Sequence, residues 1–420
     1  MAKIVILITF LILTLQSCDH DRHGPQSCGD GEISSSNAIW SHGLGDLQNS
    51  RRATKARIHG CFTGPIDTPS VVWSFSLGGP GTQGPPVIGD DETIYLVGEY
   101  PGEPMGGGLR NSGLMAISTA GTLKWFFSCP IDIGFGLAAA YTQSVTLGSA
   151  DRIYYTGLDS GLYAIDATNG TQLWHYRSKW ATQPVIDRGG KLYFGNLDTV
   201  ISSDEYGVPL WKYFEEPAIG YINHISLGKT RLFCAVANVG VLSINFTGQK
   251  LWFYPTPYEN AGGKDRILID ENENIYLKTT PTNLKSWDRN GNLRWESTIY
   301  SVGDFTQPVL RGDHLYFGEF FGLYKLDCAT GKELTPIVEL PSSPSYSSSP
   351  LIDDSGTIYV TTGGIVSAVR DDSLIWTKSL GLGTSFESYA ALSISKNLYL
   401  ATWSSTSTNI KHLFKLSDHH

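Results

Sequence analysis

The residues of this chain that could do chemistry are scattered rather than gathered. His59, His175, His224 and His314 stand apart, without the paired spacing of a zinc site. The six cysteines, at 18, 28, 61, 129, 234 and 328, include no adjacent pair and no metal-binding spacing. Asp270, Asn272 and Asn274 imitate the start of a calcium loop, but the expected Gly and distal Glu are absent. The aligned stretches GDDET (89–93) and DDSGT (353–357) read as hairpin turns, so the same reading applies at 270–274. The Gly-rich stretch 106–113 has no Gly-Lys-Ser/Thr ending and opens no helix, which excludes a phosphate loop. A Ser-His-Asp relay cannot be argued from spacing, because its members need no sequence proximity. The net charge is −9, and no Lys/Arg run interleaves with aromatic residues, so nucleic acid is not an expected partner.

What does recur is a scaffold phrase. YAIDATNGTQLW, Tyr163 to Trp174, reads as two strands around an Asn169-Gly170 turn, where both residues tolerate positive φ. Variants stand at 116–125, 202–211, 243–252, 286–295, 325–334 and 367–376. An apolar-aromatic pair recurs as well, ending on residues 95, 154, 193, 233, 276, 316, 359 and 399. The aromatics are 59, 39, 40, 43, 40, 43 and 40 residues apart, and only the first interval is long enough to carry inserts. Eight pairs at this period, alternating with period two and broken by turns, predict an all-β chain. The expected fold is an eight-bladed β-propeller of four-stranded antiparallel blades. Helical solenoids are excluded.

Residues 183–211 spell one blade. Pro184 opens the inner strand, where a missing N–H is tolerated, and the fourth strand ends on Trp211. That Trp position is filled at 73, 125, 174, 211, 252, 295 and 376, and Thr335 breaks the series. A large flat side chain at one fixed place predicts packing between neighbouring blades. The last strand set, ending near Leu416, lacks a fourth strand, while VVWSFSL (71–77) precedes the first set. The N-terminal strand is therefore expected to complete the last blade and close the ring, since an open ring leaves a bare edge.

These phrases make the chain resemble the PQQ-like repeat propellers, the group that includes quinoprotein dehydrogenases and the outer-membrane assembly lipoprotein BamB. The family phrase, roughly A-x-D-x-x-T-G-x-x-x-W, stands nearly whole at Ala164, Asp166, Gly170 and Trp174, and in part at Asp327, Thr330 and Gly331. Ile39 to Ala53 resembles the tryptophan-led segment before the first blade of such proteins. The resemblance spans roughly residues 39–420 and implies the fold. It implies function less directly, because one scaffold serves enzymes and non-enzymes. Quinoprotein dehydrogenases hold their quinone against a vicinal Cys-Cys ring beside a Glu/Asn/Asp calcium site. The present sequence has no adjacent cysteines.

The N-terminus reads as an export signal. Lys3 precedes the twelve-residue apolar run 4–15, too short to span a bilayer, and Leu15-Gln16-Ser17-Cys18 resembles a bacterial lipobox with Cys18 as the lipidated residue. Residues 1–17 are thus the expected signal peptide, and 18–38 a flexible tether. Residues 39–70 form a segment packing on the propeller of 71–420. His20 and His23 with Asp19 and Asp21 belong to that solvated tether. Acylation of Cys18 would anchor the mature chain to a membrane, and outer membrane or cell surface is favoured over the inner membrane. Cys28 and Cys61 both precede the propeller and are open to pairing in an oxidising compartment. Cys234 and Cys328 sit in predicted strands as buried thiols.

Strand order sorts the connections onto two faces. Fourth-to-first and second-to-third connections share one face, which receives the long inserts 98–113 and 128–143. Elaborated loops on a rigid scaffold usually carry function. The candidate binding residues there are Gln83, Gln143, Trp180, Gln183, Tyr221, Tyr258, Phe305, Gln307, Tyr346 and Phe386. Four of them belong to Thr-Gln pairs that contact a ligand or satisfy strand-end backbone groups. The expectation is a lipid-anchored, non-catalytic propeller that binds another envelope protein, with no cofactor. In BamB-like proteins that partner is the outer-membrane assembly machinery. The alternatives are a dehydrogenase using PQQ and calcium, and a glycan-binding surface protein.

Overall fold

The computed structural model describes residues 63–418, apart from 79–84, 102–108, 111, 130, 133–143, 149–150, 158–160, 179, 216–219, 257–265, 281, 300–306, 320–321, 342–348, 363, 383–386, 394 and 404–410. Eight four-stranded antiparallel sheets follow one another. Blade 1 runs from Val87–Ile88 to Leu123–Ser128, blade 2 from Ser144–Leu147 to Gln172–Tyr176, and blade 3 from Val185–Ile186 to Pro209–Phe214. Blade 4 runs from Ile222–Leu227 to Lys250–Pro255, and blade 5 from Leu268–Ile269 to Leu293–Thr298. Blade 6 runs from Val309–Arg311 to Glu333–Glu339, and blade 7 from Leu351–Ile352 to Ser373–Ser379. Blade 8 joins Glu387–Leu392, Leu398–Trp403 and Lys411–Ser417 to Ser70–Leu77. The eight-bladed all-β expectation holds.

Blade 8 holds the closure. Ser70 pairs with Ser417 and Leu77 with Lys411, with a bulge between Val71 and Trp73. Just before this strand, the N–H groups of Ile66 and Asp67 donate to the Asp418 carboxylate at 3.1 and 3.2 Å. Gly64 N–H donates to Asp353 Oδ2 at 2.9 Å. Trp73 lies 5.9 Å from Tyr399, ring centre to ring centre, inside the terminal blade.

The repeated Trp is a clasp between blades. Each indole N–H donates to a carbonyl in the next blade's outer turn: Trp125 to Ala167, Trp174 to Glu205, Trp211 to Phe246, Trp252 to Arg289 and Trp295 to Cys328, all at 2.9–3.0 Å. Trp73 of blade 8 reaches Thr119 of blade 1 in the same way, at 2.9 Å. The indole face then lies on a turn glycine with positive φ, namely Gly121, Gly170, Gly207, Gly248, Gly291 or Gly331. A β-carbon at any of these would sit 2.5–2.9 Å from a ring carbon. Trp376 has no such turn ahead of it, because the chain is interrupted between the last two strands of blade 8. Its N–H instead meets Pro65 O at 3.3 Å, so the N-terminal lead-in stands in for the missing turn.

The seam between blades 6 and 7 departs from this rule. Leu334, not Thr335, lies opposite Lys325, and the bulge has moved to between Leu323 and Lys325. Blade 7 correspondingly turns through Asp371 and Asp372, with no glycine. Lys325 Nζ pairs with Asp372 Oδ2 at 3.5 Å and lies 5.7 Å from the Tyr316 ring centre.

The recurrent aromatic of the second strand has a polar anchor. Asp187, Asp270 and Asp353 each accept turn N–H groups on Oδ1 and a tyrosine hydroxyl on Oδ2, from Tyr193, Tyr276 and Tyr359 at 2.9–3.1 Å. Asp270 therefore serves a hairpin, as its turn-like sequence indicates. Cys234 lies within a strand and is buried, whereas Cys328, expected in a strand, falls in the turn after Gly322–Asp327 and is buried nonetheless. Burial pushes the Cys328 thiol up to about 12. The signal, the tether, Cys18, Cys28 and Cys61 lie outside the described residues.

Candidate functional site

Fourth-to-first and second-to-third connections leave the blades on one face, as strand order requires. Described residues of the two largest inserts pair there, Leu109 with Asp132 and Arg110 with Ile131. Nothing in either insert alone announces that small sheet.

Around the axis, the inner-strand ends of successive blades carry polar side chains that bond to one another. Gln183 is buried; its Nε2 donates to Val145 O at 2.9 Å and to Thr146 Oγ1 at 3.3 Å. Its Oε1 accepts from Arg266 Nη1 at 2.7 Å, two blades away. The same Nη1 lies 3.3 Å from His224 Nδ1. A guanidinium only donates, so Nδ1 accepts and the imidazole proton sits on Nε2. Gln307 accepts Arg266 N–H at 3.4 Å, and its own N–H donates to Ser349 Oγ at 2.8 Å. Thr182 Oγ1 accepts Gly195 N–H at 2.8 Å. At Thr182-Gln183, the one Thr-Gln pair wholly within the described residues, and at Gln307, the side chains thus serve strand-end groups and the axial Arg266. Arg266 was not legible as part of this ring, because its partners lie 42 and 83 residues away.

Of the expected face residues, Trp180 and Tyr221 are exposed to solvent, while Gln183 and Gln307 are buried in the axial wall. Gln83, Gln143, Tyr258, Phe305, Tyr346 and Phe386 lie outside the described residues. Leu197 and Phe214 are also exposed beside Trp180 and Tyr221. Leu197 carries no sequence signal for this role.

The axial groups do not suit a quinone with calcium. A hard divalent cation takes oxygen ligands, chiefly carboxylates, and the ring offers carboxamides, an imidazole and a guanidinium. Among the described residues no three of His, Cys, Asp and Glu gather into a metal-holding group. The sequence offers no adjacent cysteines to lie against a quinone. Several strongly shifted protons lie elsewhere. Burial pushes up the hydroxyls of Tyr95, Tyr154, Tyr193, Tyr276 and Tyr359, which sit behind turns of the opposite face.

Residues 66–213 and 158–379 match the family model described as outer membrane protein assembly factor BamB. The chain belongs to the PQQ-like repeat β-propeller family. Among curated relatives, this PQQ-like propeller is 26% identical to quinoprotein ethanol dehydrogenase of Pseudomonas putida over 183 residues, 35% of this chain and 29% of that enzyme. It is 25% identical to 1-butanol dehydrogenase (quinone) of Thauera butanivorans over 233 residues, 46% of this chain and 36% of that enzyme. The propeller therefore matches about a third of the length of these relatives. Among solved structures, a europium-containing methanol dehydrogenase superposes with TM-score 0.62 at 13% identity, covering 91% of this chain and 98% of that one. BamB from Moraxella catarrhalis superposes with TM-score 0.50 at 15% identity, covering 84% and 99%. At such identities the likeness is one of fold.

Proposed function

We propose that this PQQ-like propeller is a lipid-anchored, non-catalytic scaffold of the bacterial cell envelope that docks another envelope protein on its loop face, in outer-membrane protein assembly. One observation carries the reading: the loop face holds exposed aromatic surface, whereas the axial polar groups are engaged with one another. A rigid ring with a wet aromatic rim suits protein recognition. On this reading the chain takes up neither PQQ nor calcium, and Cys18 carries the lipid that holds the mature protein at the outer membrane or cell surface.

The test is affinity purification from membranes with the anchor intact, beside a Cys18→Ser chain. One envelope protein co-purifying in stoichiometric amount, and lost when Cys18→Ser releases the chain from the membrane fraction, is the expected result. The similarity to quinoprotein dehydrogenases favours a second reading, that of an enzyme. Quinone absorbance and dye reduction after reconstitution with PQQ and calcium would replace the scaffold by that enzyme. A strong glycan-array signal with no co-purifying protein would replace it by a carbohydrate-binding surface protein.

A further inference from the structure

One corner of blade 3 sets four large apolar side chains in water. Trp180 is 49% exposed, Leu197 38%, Phe214 42% and Tyr221 64%. They come from three separate connections, and backbone bonds draw these together. Ala181 bridges Asn196, Phe214 pairs with Thr199, and Ile222 N–H donates to Leu197 O at 2.6 Å.

Two of the four are held in a costly conformation. Trp180 has φ 61° and Leu197 φ 53°, where a β-carbon crowds the following carbonyl. The other described non-glycine residues with positive φ are Glu, Asp, Asn or Lys. Among the described residues, only at this corner is left-handed backbone combined with a large apolar side chain, and burial offsets little of the strain. Strain that persists without a packing reason is characteristic of a binding surface.

The charge beside the corner selects a partner. Arg177, three residues before Trp180, and Lys212, two before Phe214, are exposed. Of the described acids nearby, Glu215 pairs with Lys250 and takes the Tyr213 hydroxyl, while Asp198 accepts the neutral Thr199 hydroxyl at 3.1 Å and keeps its charge. Among the described residues, a chain of net charge −9 thus shows a small local excess of positive charge here, Arg177 and Lys212 against Asp198. Leu197 offers nothing to a sugar hydroxyl, so an apolar side chain fits this corner better than a glycan.

The geometry points to this corner as the docking site for an extended, acidic-apolar segment of a partner protein. One aromatic or leucine side chain would seat among Trp180, Leu197 and Tyr221, with Asp or Glu beside it meeting Arg177 and Lys212. The inference rests on the scaffold reading and names the partner's chemistry.

A random peptide library displayed against the full mature chain tests it. Enrichment of Phe, Trp or Leu next to Asp or Glu is expected. Binding of the selected peptides should weaken about tenfold in Trp180→Ala and in Tyr221→Ala, as for buried aromatic anchors. It should weaken several-fold in Arg177→Ala and Lys212→Ala, and fall with added salt. Trp180→Gly and Leu197→Gly separate recognition from folding, since both should raise Tm while weakening the peptide. No enrichment, selected peptides indifferent to Trp180 and Tyr221, or a Tm lowered by the glycine variants would each overturn the proposal. A membrane partner that still co-purifies with Trp180→Ala would refute this docking site while leaving the scaffold reading in place.

Discussion

Gly248 shows what one residue does for a seam. Its φ is +86°, and an added β-carbon would lie 2.8 Å from Trp211 Cδ2. Gly190 has a similar φ of +79° but nothing within 4 Å of such an atom. Gly190→Ala should therefore cost only the backbone strain, about 1 kcal/mol. Gly248→Ala adds overpacking of about 1–3 kcal/mol, and the two urea midpoints measure the difference. Acid stability is also set residue by residue. Hydrogen bonds from Thr168 and Thr330 hold the Asp166 and Asp327 carboxyls below the usual carboxylate range. A depressed folded value gives stability that is present above about pH 4 and is lost as pH falls through that lower value. The double variant Asp166→Asn, Asp327→Asn should flatten the acid limb of Tm against pH. Burial pushes His314 and His412 down as well, so by the same sign the decline begins near pH 6.5.

Between blades, the seams are not equal. An indole clasp holds blades 1 to 6 in sequence, and further clasps join blade 7 to blade 8 and blade 8 to blade 1. Blade 6 shows no such clasp to blade 7 among the described residues: the Lys325–Asp372 pair stands in its place, with side chains 22% and 37% exposed, beside a hydrogen bond from Arg311 Nη1 to Gly356 O at 3.1 Å and an apolar cluster shared by the two blades. A partly exposed ion pair contributes roughly 0–1 kcal/mol and is screened by salt. Amide exchange in Glu333–Glu339 and Ser373–Ser379 should outpace that of the other outer strands and speed up with salt, by mass spectrometry. Much of this was readable in advance: period, blade count and Trp series all follow from repeated local phrases, and Thr335 announced its own gap. The compensation was not readable, because it lies in the next blade's turn at Asp371-Asp372. Arg266 and Gln183 meet for a similar reason, through curvature of the ring rather than any local pattern. Leu197 gave no signal because left-handed turns usually declare themselves by glycine or asparagine at the turning position, and here Gly195-Asn196 stands just before the residue that takes the positive φ.

For the molecule as a whole, everything depends on blade 8. Deleting residues 1–78 removes half-buried Trp73 together with its hydrogen bond to Thr119, a loss of up to about 3 kcal/mol from the indole alone. The truncated chain should melt earlier and less cooperatively, and a synthetic peptide of residues 63–78 should restore Tm progressively, with the logarithm of its concentration once above its Kd. The same arrangement constrains synthesis and export. The ribbon Ser70–Leu77 is made early, yet its mate Lys411–Ser417 arrives more than three hundred residues later, so the ring has no finished state until the last stretch has emerged. A polypeptide halted anywhere before Lys411 carries a valine- and aromatic-rich ribbon with no mate of its own, free to zip onto a neighbouring copy. Premature stops near the C-terminus should therefore yield tangled oligomers rather than slightly shortened monomers.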